Sequence, residues 1–157
     1  MTATLIDGKR IATALREQIA GEVARMAEAG LPRPGLATVL VGANPASQVY
    51  VRMKQKACAQ VGIESFGFTL PEDAAQQDVE ALVRELNTDP RVHGILVQLP
   101  LPSGLDEERV LNAISLEKDV DGFHPLNIGR LAQKGREPLF VPCTPAGVMY
   151  LLAQAGV

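Results

Sequence analysis

The chain has 157 residues, 46% hydrophobic and 21% charged, the usage of an ordinary globular domain long enough to bury one sizeable core. A formal net charge of -3, no basic run, no tryptophan and only 4% aromatic residues argue against nucleic acid or an anionic membrane as the main partner. Two widely spaced cysteines, Cys58 and Cys143, suggest reduced thiols, and no apolar signal core precedes the first charges, so a cytoplasmic protein is expected.

Asp7 can cap a helix from about Gly8, with Ile11, Leu15, Ile19, Val23 and Met26 on one stripe and Gly30 as its stop. The run Leu36 to Val41 is short, apolar and partly β-branched, as a strand buried on both faces of a parallel sheet should be. After the turn Gly42-Ala43-Asn44-Pro45, a helix is predicted from about Ala46 to Gln60, ending at Gly62, with Val49, Met53 and Ala57 as its apolar stripe. Ile63 to Leu70 reads as a strand presenting Phe66, Phe68 and Leu70 on one face. Val79, Leu82, Val83 and Leu86 mark another helix, stopped by Asn87-Thr88-Asp89-Pro90. Gly94 to Leu99 is a further buried strand, and Val110, Leu111 and Ile114 mark a short helix. Asp119 to Gly135 reads as loop. A last helix is predicted with Thr144 as cap and Pro145 at its first position, an apolar face of Val148, Leu151 and Leu152, and Gly156 at its end. This alternation predicts an α/β domain over 1–157, a mainly parallel sheet flanked by helices.

Several chemistries are set aside. Neither Gly-rich phosphate loop occurs, the nucleophile elbow is absent, and His93 and His124 stand at no metal-ligand spacing from a cysteine, so no metal site is expected. Four polar positions remain. Tyr50 and Lys54 are four residues apart and share a helix face, which suits a site and equally an ordinary surface pair. Gln98 is the one polar side chain in Ile95-Leu96-Val97-Gln98-Leu99, at the carboxyl end of a buried strand, where open α/β sheets bind ligands; a satisfied core amide fits the same place. Asp121 precedes Gly122 and could be a turn residue or an acceptor for a ligand.

Four segments carry a resemblance. Val41-Gly42-Ala43-Asn44-Pro45-Ala46-Ser47-Gln48-Val49-Tyr50-Val51 with Lys54, Lys56 and Ala57 is the first. Gly94 to Pro102, Lys118 to Gly129, and Pro142-Cys143-Thr144-Pro145-Ala146-Gly147 follow it in order. Together they resemble the signatures of the methylenetetrahydrofolate dehydrogenase/methenyltetrahydrofolate cyclohydrolase family across essentially the whole chain. The resemblance implies that Lys54 is the catalytic lysine of the cyclohydrolase step and that Gln98 assists it. It implies that Tyr50 packs against the substrate ring system, that Asp121 anchors the pterin, and that Ser47 supports Lys54. It also implies one-carbon folate metabolism, a tetrahydrofolate substrate, NADP as the redox cofactor and a homodimer for the full-length enzyme.

The residue types suit those roles. A carboxylate can accept from two adjacent pterin N–H groups, and tyrosine offers a flat face with a polar tip. Hydrolysis of a methenyl cation needs a proton acceptor at water and a donor at the ring nitrogen; one amine can serve as both when it is neutral for part of the cycle. Burial favours that neutral form, and Gln98 could hold the amine without adding charge. The chain ends one residue past Gly156, before any Rossmann domain, so the expectation for this polypeptide is folate binding with at most residual cyclohydrolase activity. The alternative is a catalytically silent folate-binding or interaction fragment, and an exposed apolar surface is expected where a second domain would dock.

Overall fold

The computed structural model describes residues 5–157. In chain order it contains α1 (Gly8–Glu28), β1 (Gly35–Val41), α2 (Pro45–Val61), β2 (Glu64–Leu70), α3 (Gln76–Thr88), β3 (Gly94–Val97), α4 (Glu107–Asn112), a 3-10 turn (Leu116–Lys118), α5 (Pro125–Leu131) and α6 (Cys143–Gln154). The three strands are parallel in the order β2-β1-β3, with β1 in the middle.

Register and strand parity divide the molecule into two faces. Ala37, Val39 and Val41 of β1 share one face with Phe66, Phe68 and Leu70 of β2 and with Ile95 and Val97 of β3. That face is covered by Val79, Val83 and Leu86 of α3 and by Val110 and Ile114, which together form the main core. Each such side chain contributes roughly 1.5–3 kcal/mol by leaving water. The opposite face carries Thr38, Gly67 and Leu96 in register, and α2 lies across it. Its approach is close: a Cβ on Gly67 would stand 2.5 Å from Gln55 Nε2. α1 packs outside α2, burying Ile11 and half-burying Leu15, Ile19, Val23 and Met26, the predicted stripe.

The chain leaves β1 through α2 to β2 on one side, then returns through α3, past β1, to β3 on the other. Successive right-handed crossovers in opposite directions place α2 and α3 on opposite faces. They also open a crevice beyond the carboxyl ends of β1 and β3, the usual ligand position in such sheets. Gly42 and Gln98 flank that crevice.

The structure departs from the sequence-based expectations in four places. β3 ends at Val97, so Gln98 lies just beyond it, although Gln98 N still donates to Val39 O at 2.8 Å. The stretch read as loop from Asp119 to Gly135 contains α5, with Pro125 in its first turn and His124 Nδ1 accepting from Leu126 N. α6 begins at Cys143 rather than after a Thr144 cap; Pro142 precedes it and Pro145 sits within the first turn, where its missing N–H leaves no helical bond unmade. Finally, Val49 and Met53 of α2 are exposed, and the buried stripe runs instead through Ser47, Val51, Cys58 and Val61. Apolarity marked the wrong face because α2 meets the sheet along the line through Thr38 and Gly67, which the pattern within one helix does not encode.

Among the described residues no helix is long and apolar enough to cross a membrane. Exposed apolar side chains gather on α5 and α6, including Leu126, Ile128, Leu131, Val148 and Met149, and α6 buries none of its residues.

α2 starts under tight local control. Asn44 Oδ1 accepts from Ala46 N at 3.0 Å and Ser47 N at 3.2 Å, and Pro45 follows as the first helical residue. Asn44→Ala is expected to lower stability by about 1 kcal/mol, read as a shift in the urea midpoint with an unchanged slope. An unchanged midpoint would show that the cap contributes nothing.

Candidate functional site

The site grows from α2. Positions 47, 51, 54, 58 and 61 fall on one side of a helix, and four of them are buried. The fifth, Lys54, therefore sits in the middle of an interior stripe, half-buried, rather than on the solvent face. Its Nζ donates to Gln98 Oε1 at 3.2 Å. Strand parity explains the meeting: Gln98 follows Leu96 on the side of the sheet that α2 covers. Gln98 Nε2 donates to Leu99 O at 2.7 Å, which ties the amide nitrogen to the backbone and leaves the oxygen for Lys54. Tyr50 lies one turn before Lys54 at the margin of the stripe, 59% exposed and so open to a ligand from solution. Ser47 is buried a turn further back, and its N–H is held by the Asn44 cap.

The second wall comes from the loop after the 3-10 turn. Lys118 anchors its start, donating from Nζ to Leu86 O at 3.0 Å and Asp89 O at 2.9 Å at the end of α3; burial pushes this ammonium below the usual lysine range. Asp119 pairs with Ile95 in a parallel bridge and is almost wholly buried. Asp121 follows, half-buried, and Gly122 then turns the chain at φ +72°. A Cβ on Gly122 would stand 2.7 Å from Pro142 N and 2.8 Å from Val141 C, so only glycine lets the loop lie against the segment that leads into α6.

That contact brings Cys143 to the site. Its Sγ lies 3.6 Å from Val120 O. Burial pushes the thiol up; the Asp121 charge and a hydrogen bond to Asp121 push it further, Lys54 pulls it down, and Asp119 adds a smaller upward push. Lys54 and Asp121 thus both act on this sulfur, with opposite signs. Lys54 and Gln98 touch directly; among the described residues Ser47 is not hydrogen-bonded to Lys54.

Residues 6–121 match a family model described as tetrahydrofolate dehydrogenase/cyclohydrolase, catalytic domain. The chain belongs to this family. It is 59% identical over 156 residues to bifunctional protein FolD 2 of Arabidopsis thaliana, covering 99% of this chain and 52% of that protein. Among solved structures it resembles the bifunctional FolD methylenetetrahydrofolate dehydrogenase/cyclohydrolase of Campylobacter jejuni, with 44% identity and a TM-score of 0.90 over 98% of this chain and 54% of that one. It also resembles the Trypanosoma brucei enzyme complexed with NADP cofactor and inhibitor, with 41% identity and a TM-score of 0.95 over 100% of this chain and 54% of that one. The chain spans about half the length of the relatives it matches.

The resemblance implies NADP as the redox cofactor. The junction between β1 and α2 is where a dinucleotide fold would hold a pyrophosphate on free helix amides. Here Pro45 has no N–H, and the Ala46 and Ser47 amides are taken by Asn44. This junction does not fit the cofactor.

The sequence marks Cys143 only as a reduced thiol and assigns Asp119 and Asn127 no role. The spacing of two aspartates around one residue, followed by His124-Pro125 as a helix start, was the available signal for a built loop.

Proposed function

We propose that the chain binds a tetrahydrofolate derivative and hydrolyses 5,10-methenyltetrahydrofolate to 10-formyltetrahydrofolate, using Lys54 as the proton carrier. What supports this reading is the Lys54–Gln98 contact on the interior stripe of α2, with Lys54 and Asp121 both acting on the Cys143 thiol. Asp121 accepts from the pterin N–H groups, and Tyr50 lies along the ring face. Lys54 Nζ, acting as the base, takes a proton from water as the water oxygen bonds to the bridging carbon. The resulting ammonium returns that proton to N5 as the bond from carbon to N5 breaks, and the remaining hydroxyl proton leaves to solvent as the formyl carbonyl forms. Gln98 keeps the amine aligned through both transfers and adds no charge to repel the cation. Ser47 supports the same turn of α2. Oxidation of methylenetetrahydrofolate with NADP belongs, in this reading, to a longer protein whose nucleotide site lies outside these residues, and that protein is a homodimer in the cytoplasm.

The test follows loss of the methenyl absorbance with purified chain, together with folate titration by fluorescence. Saturable hydrolysis above the buffer rate is expected. Binding without hydrolysis above background would leave a folate-binding module, and no binding at all would sink the proposal.

A further inference from the structure

We propose that Asn127 is a positioning residue that holds the Asp121 loop and the segment leading to Cys143 in fixed register, so that both walls face Lys54. The inference rests on the folate reading above. Asn127 is fully buried, although its neighbours on α5, Leu126 and Ile128, are exposed. Every hydrogen bond it makes from its side chain goes to one wall or the other. Nδ2 donates to Asp119 Oδ2 at 2.8 Å. Oδ1 accepts from Leu139 N at 2.9 Å and from Phe140 N at 3.3 Å.

Asp119 completes the tie. Its Oδ2 also accepts from His124 N at 2.8 Å and its Oδ1 from Phe123 N at 3.2 Å, so the carboxylate reaches across the turn that presents Asp121 and ties its start to its end. Through its bridge to Ile95, Asp119 is fixed to the sheet. The path therefore runs from β3 to Asp119, across Asn127, to residues 139 and 140, which lie just before Cys143. At Gly122 the two walls touch with no room for a side chain, so a small slip along that contact displaces Asp121 and Cys143 together. Asn127 stands outside the apolar core between the sheet and α3, so removing it cuts the tie and leaves that core whole. An amide is the suitable group, because a single side chain must donate to a carboxylate and accept from two backbone amides.

Two measurements on the full chain test this. The first is the alkylation rate of Cys143 by iodoacetamide without folate, with buried Cys58 as the internal reference. The second is affinity for 5,10-methenyltetrahydrofolate, with hydrolysis measured at saturation. For Asn127→Ala, Cys143 alkylation is expected to rise several-fold and the folate Kd at least tenfold, with a smaller loss of kcat. Asn127→Ser, which keeps one hydroxyl for one partner, is expected to fall between, and it carries the test if Asn127→Ala gives no cooperative melt. Unchanged Cys143 alkylation in the folded variant overturns the proposal. So does raised alkylation with unchanged affinity in a wild type that binds folate. If the wild type binds no folate while alkylation still rises, the tie stands and the folate reading fails.

Discussion

Lys54→Met is expected to reduce hydrolysis of 5,10-methenyltetrahydrofolate by about 10²–10⁴-fold, the usual loss when a general acid/base is removed. Affinity for the folate should change by no more than a few-fold, because the proposed reading gives the ring face to Tyr50 and the pterin edge to Asp121. Methionine retains most of the length and apolar stem of lysine and fits an interior stripe already made of Ser47, Val51, Cys58 and Val61. Lost activity would therefore report lost proton transfer rather than a lost fold. Single-turnover decay of methenyl absorbance at saturating protein separates the chemical step from binding. A wild-type rate in this variant would remove Lys54 from the mechanism, and an equal loss in affinity and rate would make it an orienting residue.

Asp121→Asn should act on the other quantity. The amide keeps the shape but turns one acceptor into a donor facing the donors of the pterin. Losing a charge-assisted pair and creating that mismatch costs roughly 2–4 kcal/mol, or about 30- to 1000-fold in Kd. The rate at saturation should fall much less. The same substitution removes a carboxylate charge and a hydrogen bond that push the Cys143 thiol up, so that thiol should titrate lower and alkylate faster at neutral pH. Calorimetry and the pH profile of alkylation read the two effects independently. Unchanged affinity would take Asp121 out of the folate site.

Most of the fold was legible because its elements are marked locally. Asn44-Pro45 opens α2, Gly62 closes it at φ +84°, and the alternation of Phe66, Phe68 and Leu70 fixes which face of β2 is inward. What was not legible depends on how elements meet. Val49 and Met53 look like a buried stripe on α2 and are exposed, because the sheet rather than the helix decides which side is covered. α5 went unrecognised because its burial is concentrated in one polar residue, Asn127, and a helix with an apolar exterior and a buried amide has no periodic signature. Within the candidate site, residue types and resemblance point to Tyr50, Lys54, Gln98 and Asp121. The tie through Asp119 and Asn127 escaped because it spans residues 119 to 140 and exists only once the chain is folded.

The position of Lys54 has a consequence for redesign. Among the described residues the ion pairs are made by Arg25, Arg84, Arg91 and Arg109, and Lys54 has only the neutral oxygen of Gln98. A half-buried amine gives up hydration at a helix–sheet interface, where apolar atoms would gain contacts and lose no hydration. Lys54→Met should therefore raise the thermal midpoint by a few degrees while it abolishes turnover, a conflict between stability and activity located at one atom. A thermostability screen blind to catalysis would select that change early, and a melting curve alone would score the inactive protein as the better one.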